Sequence, residues 1–465
     1  SGAHSDRGAR VTRAIGELDW RGAAQAAPDV LLREVRVLDP RSGLDAPHDV
    51  LVRGGRIAEL AAPGSAELRG GESELEVIEG GGLTAVPAFF DPHVHLRTPG
   101  REDKEDIETG SRAAAAGGYC GIIGMANTDP PIDTPGAIES LRERAGADAS
   151  IPVGFVATVT RGMRGEELTD MAELADAGAV GVSDDGLPIR SARVMRRVLQ
   201  YQRLTGLQIA LHEEDPDLSG GGVMNEGEVS ALLGMEGVPA VSESSIIARD
   251  CALAAYESAR IHVQHLSAAE SVAAIELAKE RGVRVTCEAT PHHLTLTDDA
   301  VRSLDAAFKM NPPLRTEADR QALIAAVRSG TIDCIATDHA PHTPVEKEVP
   351  FEQAAMGVTG LETAFAVLHT DLVMPGVIDL AAIVERMSAG AEPFGFTAPT
   401  IAPDAEANIA LLDLEAEWEA GADGWESRSS NSCFTGRRLT GRVLATVAAG
   451  RVAFRQRSFA MGVAS

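Results

Sequence analysis

Phe89-Phe90-Asp91-Pro92-His93-Val94-His95-Leu96-Arg97-Thr98-Pro99-Gly100 is the stretch on which the reading of the chain turns. An apolar run, residues 83–90, leads into two histidines one residue apart. Gly80-Gly81-Gly82 precedes the run and Pro99-Gly100 follows it. A short apolar run between such turn residues predicts a buried strand. On an extended chain His93 and His95 share one face. Two neutral imidazoles on one face form half a site for zinc or a similar metal. In a chain with 12 histidines the motif alone is weak. It gains weight because further His and Asp residues close later apolar runs, one after another.

Outward from this stretch, β-branched apolar runs alternate with Ala/Leu/Glu/Arg segments of helical period. Strands are predicted at 83–95, 120–127, 153–159, 179–183, 208–212, 261–265, 284–289 and 332–338. Helices are predicted between them and again at 361–373 and 380–389. Eight such units predict a (β/α)8 barrel. A doubly wound open sheet is the rival, but no Gly-x-Gly-x-x-Gly loop follows the first strand. Both ends of the chain carry short alternating runs with turn residues, at 30–38, 49–60 and 75–78, then at 407–414 and 439–454. The expected architecture is therefore α/β. A distorted (β/α)8 TIM-type barrel over 83–399 is joined to a small β-sandwich-like domain built from 28–82 and 400–465. Residues 1–27 read as an N-terminal extension with a short helix near 11–18. Long loops at 216–228 and 341–360 fall where barrel active-site loops sit.

With 465 residues, 44% hydrophobic, a large core is expected. The balance of 69 acidic to 42 basic residues, net −27, argues against nucleic acid or an anionic membrane as partner. A small anionic substrate would need local cations. Five widely spaced cysteines read as buried thiols of a cytoplasmic protein. The absence of an 18-residue apolar run leads us to expect no membrane-spanning helix. The charged start of the chain leads us to expect no signal peptide.

The polar residues at the predicted strand ends are His93, His95 and Arg97, then Asn127, Asp184-Asp185, His212-Glu213-Glu214-Asp215, His265, His292-His293 and Asp338-His339. Singly, each has a plainer reading. His265 could be a satisfied core histidine, Asp338 a cap, Asp184-Asp185-Gly186 a turn, and His292, His293 and His339 structural. In a barrel, however, all strand ends meet at one mouth. Four His and two Asp there suit a two-metal site better than a structural zinc, and no Cys ligand pattern is present. Two cations sharing a hydroxide would make a nucleophile and polarise a carbonyl. A carboxylate beside them could pass a proton to a leaving nitrogen, and Asp338 is the natural candidate. Arg97, on the same face as His95, could grip a substrate carboxylate.

These stretches resemble the amidohydrolase superfamily and, within it, the dihydroorotases of the bacterial class I type. The resemblance rests on the opening stretch and on Met125-Ala126-Asn127-Thr128, Ser183-Asp184-Asp185-Gly186, His212-Glu213-Glu214-Asp215 and His265-Leu266-Ser267. It continues through Thr290-Pro291-His292-His293-Leu294, Lys309-Met310-Asn311-Pro312-Pro313-Leu314-Arg315, Asp338-His339-Ala340-Pro341-His342 and Gly360-Leu361-Glu362-Thr363. It implies reversible cyclisation of N-carbamoyl-L-aspartate to L-dihydroorotate, in pyrimidine (UMP) synthesis. It implies two zinc ions per subunit, bridged by Asp185 and hydroxide, with manganese or cobalt as alternatives. His93, His95 and Asp338 would hold one ion, and His212 and His265 the other. Many relatives bridge with a carboxylated lysine. This chain has Asp184-Asp185 there, like an aspartate-bridged branch, and analogy with that branch favours Asp185. Asp338 would be the general acid and base. The resemblance assigns Arg97, Asn127 and His342 to the substrate carboxylate, Asn311 to the ring, and backbone groups near Met356-Gly357 to its amide and carbonyl, with His95 also among the substrate-binding residues. Ala354-Ala355-Met356-Gly357 occupies a place where a proline and an aromatic are expected. A homodimer is the default expectation, and a complex with aspartate transcarbamoylase is compatible with the sequence. The rivals are a related cyclic-amide hydrolase (hydantoinase, dihydropyrimidinase or allantoinase) and an inert subunit scaffolding aspartate transcarbamoylase.

Overall fold

Each of the eight predicted units supplies a strand to one parallel sheet. In the computed structural model, which describes residues 12–66, 75–457 and 459, these are β1 Phe89–Val94, β2 Tyr119–Gly124, β3 Val153–Ala157 and β4 Gly181–Val182. They continue as β5 Gln208–Leu211, β6 Arg260–Val263, β7 Arg284–Ala289 and β8 Cys334–Ile335. The first eleven residues of the expected N-terminal extension lie outside the described residues, as do 67–74, 458 and 460–465 of the end segments. Strands follow one another around the sheet in chain order. The ring is closed between its last and first members by His95 N–H donating to His339 O at 2.9 Å, beside a parallel bridge from Val94 to His339. Strands β1 to β3 are buried throughout, because helices cover a parallel sheet and leave no wet face.

The helix Ala192–Thr205 shows why these segments cover the barrel. Met195, Val198, Leu199 and Gln202 are buried at helical spacing, and the charged residues between them face out. Ser191 caps its first turn, and Gly206, at φ 70°, ends it in the left-handed conformation that a side chain would resist. The helix predicted near 361–373 starts later, at Ala364–Leu368, and widens into a π turn at His369–Val373.

One predicted strand is divided. Thr84–Pro87 pairs antiparallel with Ile409–Glu419, whereas Phe89–Val94 enters the barrel. The switch falls at Ala88, whose N–H donates to Asn408 O at 3.0 Å, while Phe89 N–H turns to Gly118 O at 2.9 Å. Thr84–Pro87 thus joins an eight-stranded sheet made from both chain ends. Asp29–Asp39 is flanked there by Leu44–Arg53 and Thr84–Pro87, and the sheet continues through Ile409–Glu419, Arg438–Ala448 and Arg451–Arg455. Val30, Leu32, Val37, Val50 and Ile57 share its core with Ile409, Leu411, Ala445 and Val447. At about 1.5–3 kcal/mol per buried aliphatic side chain, each end depends on the other for its stability.

The segment before that sheet is tied down. Ile15, Leu18 and Trp20 are buried in the barrel's core, and Val153 N–H at the start of β3 donates to Asp19 O. The short helix expected near 11–18 is a single 3-10 turn, Ile15–Glu17. Residues 420–437, which connect two long strands of the end sheet, reach the barrel's mouth. Phe434 packs there in one cluster with Met310, Leu314, Phe351 and Val358. Among the described residues no helix is long and apolar enough to cross a membrane.

Candidate metal and substrate site

The structure brings all six sequence-predicted ligand residues together where the strands end. Asp185 lies in the middle. Its Oδ1 is 3.5 Å from His93 Nε2, 3.7 Å from His212 Nδ1 and 3.8 Å from His265 Nε2, and its Oδ2 is 3.4 Å from His95 Nε2. Asp338 Oδ1 is 2.9 Å from His95 Nε2 and 3.3 Å from His93 Nε2. His212 Nδ1 and His265 Nε2 are 2.9 Å apart. Backbone turns aim these side chains inward: Arg97, His265 and Asp338 have φ of 55°, 33° and 47°. Such conformations cost about 1–3 kcal/mol each and persist only where neighbours hold them. For Asp338 the holders are visible. Thr337 N–H and Oγ1–H both donate to Asp91, and His339 pairs with Glu105 at 3.1 Å.

The charges interlock. Burial pushes the Asp185 carboxyl up, but His93 and His265 outweigh it and hold the group well below the usual carboxylate range. Asp338 is likewise held below that range, against burial, by His93 and His95. Burial disfavours charge on His93, yet Asp185, Asp338 and Glu288 keep its pKa well above the ordinary value. His93 Nε2 and Asp185 Oδ1 are nevertheless buried with no hydrogen-bond partner. Two facing buried groups left unsatisfied, among imidazoles and carboxylates only, fit a bound divalent cation of the zinc type. His93, Asp185 and His265 form one set of closely spaced ligand atoms, and His93, His95 and Asp338 another. A cation would replace the protons that now balance the cluster.

Asp184 is not part of it. Its carboxylate accepts from Val159 N–H at 2.7 Å and Thr160 N–H at 3.1 Å, and so secures the loop after β3. Burial raises it to about 6 despite these bonds.

The histidines are oriented from behind. Glu288, inside β7, meets His93 Nδ1 at 2.6 Å and His262 Nε2 at 3.0 Å. Burial opposes its charge, but the two imidazoles hold it at about 2. A proton on His93 Nδ1 is thereby kept toward Glu288, so Nε2 is the nitrogen that would face a cation once its own proton is displaced. Asn127 Oδ1 does the same for His95 Nδ1 at 2.9 Å, and its Nδ2 donates to Asp185 O at 3.2 Å.

Beside the cluster sit two cations, Arg97 and Lys104. Arg97 donates through Nε to Pro341 O at 3.1 Å, and its Nη2 is 3.5 Å from His342 Nε2. His342 is pressed to about 3 by burial, Arg97 and Lys104, so its ring is neutral. Its Nε2–H donates to Met356 O at 2.8 Å, and Lys104 Nζ is 3.4 Å from Nδ1. Asn311 Nδ2 donates to Glu214 Oε2 at 2.7 Å, beside His212. Gly357 N–H donates to Lys309 O, and Gly357 O accepts from Lys347 Nζ and Asn431 Nδ2, so both groups have protein partners here. A Cβ on Gly357, at φ 135°, would come within 2.7 Å of Ala340 Cβ, so the close approach of this loop requires glycine.

Sequence reasoning missed Glu288, His262, Lys104 and Asn431. Glu288 and His262 carried a weak signal, an ionisable residue in the second half of strands β7 and β6. Lys104 and Asn431 carried none.

The barrel, the ligand cluster at its mouth and the accompanying carboxylate define a hydrolase of the amidohydrolase class. In agreement, the model of the amidohydrolase family matches residues 241–453, and that described as dihydro-orotase-like matches 82–271. The chain is 44% identical over 427 residues to a dihydroorotase of Geobacter sp. (strain M21), covering 92% of this chain and 99% of that one. It is 45% identical over 432 residues to a dihydroorotase of Pelobacter propionicus, covering 92% and 100%. The chain belongs to the dihydroorotase family. Among solved structures it is similar to the L-hydantoinase (dihydropyrimidinase) from Arthrobacter aurescens, with a TM-score of 0.81, 25% identity and coverage of 91% and 96%. The dihydropyrimidinase from Brevibacillus agri shares the fold, with a TM-score of 0.79, 23% identity and coverage of 92% and 95%.

Proposed function

We propose that the protein interconverts L-dihydroorotate and N-carbamoyl-L-aspartate, the ring-closing step of pyrimidine synthesis, with divalent metal held by His93, His95, Asp185, His212, His265 and Asp338. The observation that carries this is the convergence of those six side chains beside Arg97, in a chain over 40% identical to named dihydroorotases. Zinc is the favoured ion, two per subunit, and Asp185 would be among the residues that hold them. When bound, such ions ease loss of a proton from water and polarise the ring amide carbonyl.

The chain's own residues do the rest. Arg97 and Lys104 attract the substrate carboxylate, and Arg97 presents two nitrogens to it. His342 is held neutral by burial and by those cations, so it can donate or accept at that end. Asp338 takes the proton from the attacking water and delivers it to the ring nitrogen as its bond to carbon breaks. In the biosynthetic direction Asp338 returns a proton to the departing oxygen. Asn311 and Glu214 line the side nearest His212 and meet the ring. Met356-Gly357 contributes its backbone once substrate displaces a partner it now has. The hydantoinase reading has weaker support, since it rests on similarity of fold at 25% identity or less.

The test is ring opening of dihydroorotate followed by ultraviolet absorbance, with metal content measured on the same sample, for wild type, Asp185→Ala and Asp184→Ala. Wild type should be active with nearly two metals, and Asp185→Ala should lose both. Asp184→Ala should keep metal and lose thermal stability. A wild type that holds metal and opens hydantoin or dihydrouracil but not dihydroorotate would refute the substrate.

A further inference from the structure

We propose that Asn431, from the connection between two strands of the end sheet, is a positioning residue for the substrate-carboxylate side of the site. The proposal rests on the assignment of Arg97 and His342 to that carboxylate.

The rim segment Ala340-Pro341-His342 carries both elements of that subsite. Pro341 O is the acceptor that holds Arg97 Nε at 3.1 Å, and His342 is the imidazole beside the guanidinium. Proline offers no N–H, so the segment must be gripped on either side of it. Asn431 does this. Its Nδ2 donates to Ala340 O at 3.1 Å, and its Oδ1 accepts from His342 N–H at 3.0 Å. The same Nδ2 donates to Gly357 O at 3.1 Å, which ties in the opposite rim, whose Met356 O receives the His342 side chain. Thr359 N–H donates to the Asn431 carbonyl at 3.2 Å. One side chain therefore fixes the spacing between the two rims that face Arg97.

Asp338 is anchored by other side chains. Asp91 holds Thr337, and Glu105 holds His339, and where the connection touches Glu105 it does so through Ser427 and Arg428, not through Asn431. Loss of Asn431 should move Arg97 and His342 while the metal ligands and the proton carrier stay in place. The signature is a change in KM without a matching change in kcat. Asn431 comes from more than 300 residues beyond Arg97, on a connection whose other end is fixed by the Arg437–Asp371 ion pair.

The experiment compares wild type, Asn431→Ala and Arg437→Ala. Metal content, melting temperature, and kcat and KM for both dihydroorotate and N-carbamoyl-L-aspartate are measured. Asn431→Ala should raise KM about tenfold for both compounds, the scale of one lost hydrogen bond, with kcat within about threefold and metal content unchanged. Arg437→Ala loosens the same connection away from the rims and should lower the melting temperature without raising KM. An unchanged KM in Asn431→Ala would overturn the proposal, as would an equal rise in Arg437→Ala. A wild type that turns over neither compound would overturn the carboxylate-subsite assignment and this proposal with it.

Discussion

Glu288→Gln is the perturbation that most directly tests how the metal site is built. The carboxylate is fully buried and accepts from two imidazoles, His93 Nδ1 at 2.6 Å and His262 Nε2 at 3.0 Å. The amide has nearly the same shape but one acceptor oxygen, so only one histidine keeps its partner. If His93 loses, its Nδ1–H is stranded in the interior, at a cost of about 1–3 kcal/mol. Alternatively its proton moves to Nε2, which then points a donor at the cation. Either way the ligand weakens. Loss of such an orienting partner lowers metal affinity by about 10–100-fold, or about 1.4–2.7 kcal/mol. The assay is competition for zinc between the protein and a chromogenic chelator, with the absorption spectrum of the cobalt-substituted protein as a report on geometry. Circular dichroism would verify that the variant is folded. An affinity within twofold of wild type, with an unchanged cobalt spectrum, would show that Glu288 does not orient His93.

Two further outcomes are expected. Asp338→Asn removes the proposed proton carrier, and its kcat should fall about 10²–10⁴-fold with KM little changed, measured by ring opening at saturating metal. Glu362, which accepts from Glu426 and Ser427 N–H, is raised by burial to about 7. Because its folded pKa lies above the unfolded value, the folded state binds the extra proton. The resulting stability is complete below about pH 4.5 and lost as pH rises through 7, at most about 3 kcal/mol. The melting temperature should therefore fall less steeply between about pH 5 and 8 in Glu362→Gln than in wild type, and parallel curves would refute this.

The residues legible in advance were those whose chemistry coincides with a periodic signal. His93, His95, Asp185, His212, His265 and Asp338 all sit just past an apolar run, and a parallel barrel leaves such positions nowhere to go but its mouth. The choice between Asp184 and Asp185 was open from periodicity alone. The structure turns Asp184 onto the backbone of Val159 and Thr160 and Asp185 into the cluster. The division of the run 83–95 was equally hidden, since Thr84–Pro87 and Phe89–Val94 are both apolar and both extended. Only their partners distinguish them.

By itself, then, the sequence determined the alternation that builds the barrel, the candidate ligand residues at its strand ends and the net acidity that calls for local cations. These follow from local rules, because strand and helix period and side-chain chemistry are properties of neighbouring residues. The tertiary structure alone decided which groups stand behind the candidate ligands and around the proposed carboxylate subsite. Glu288 reaches across from β7 to His93, Lys104 folds back to His342, and Asn431 arrives from the far end of the chain. Such contacts join residues far apart in sequence and are made by closure of the ring and docking of the end sheet, which leave no trace in any local window.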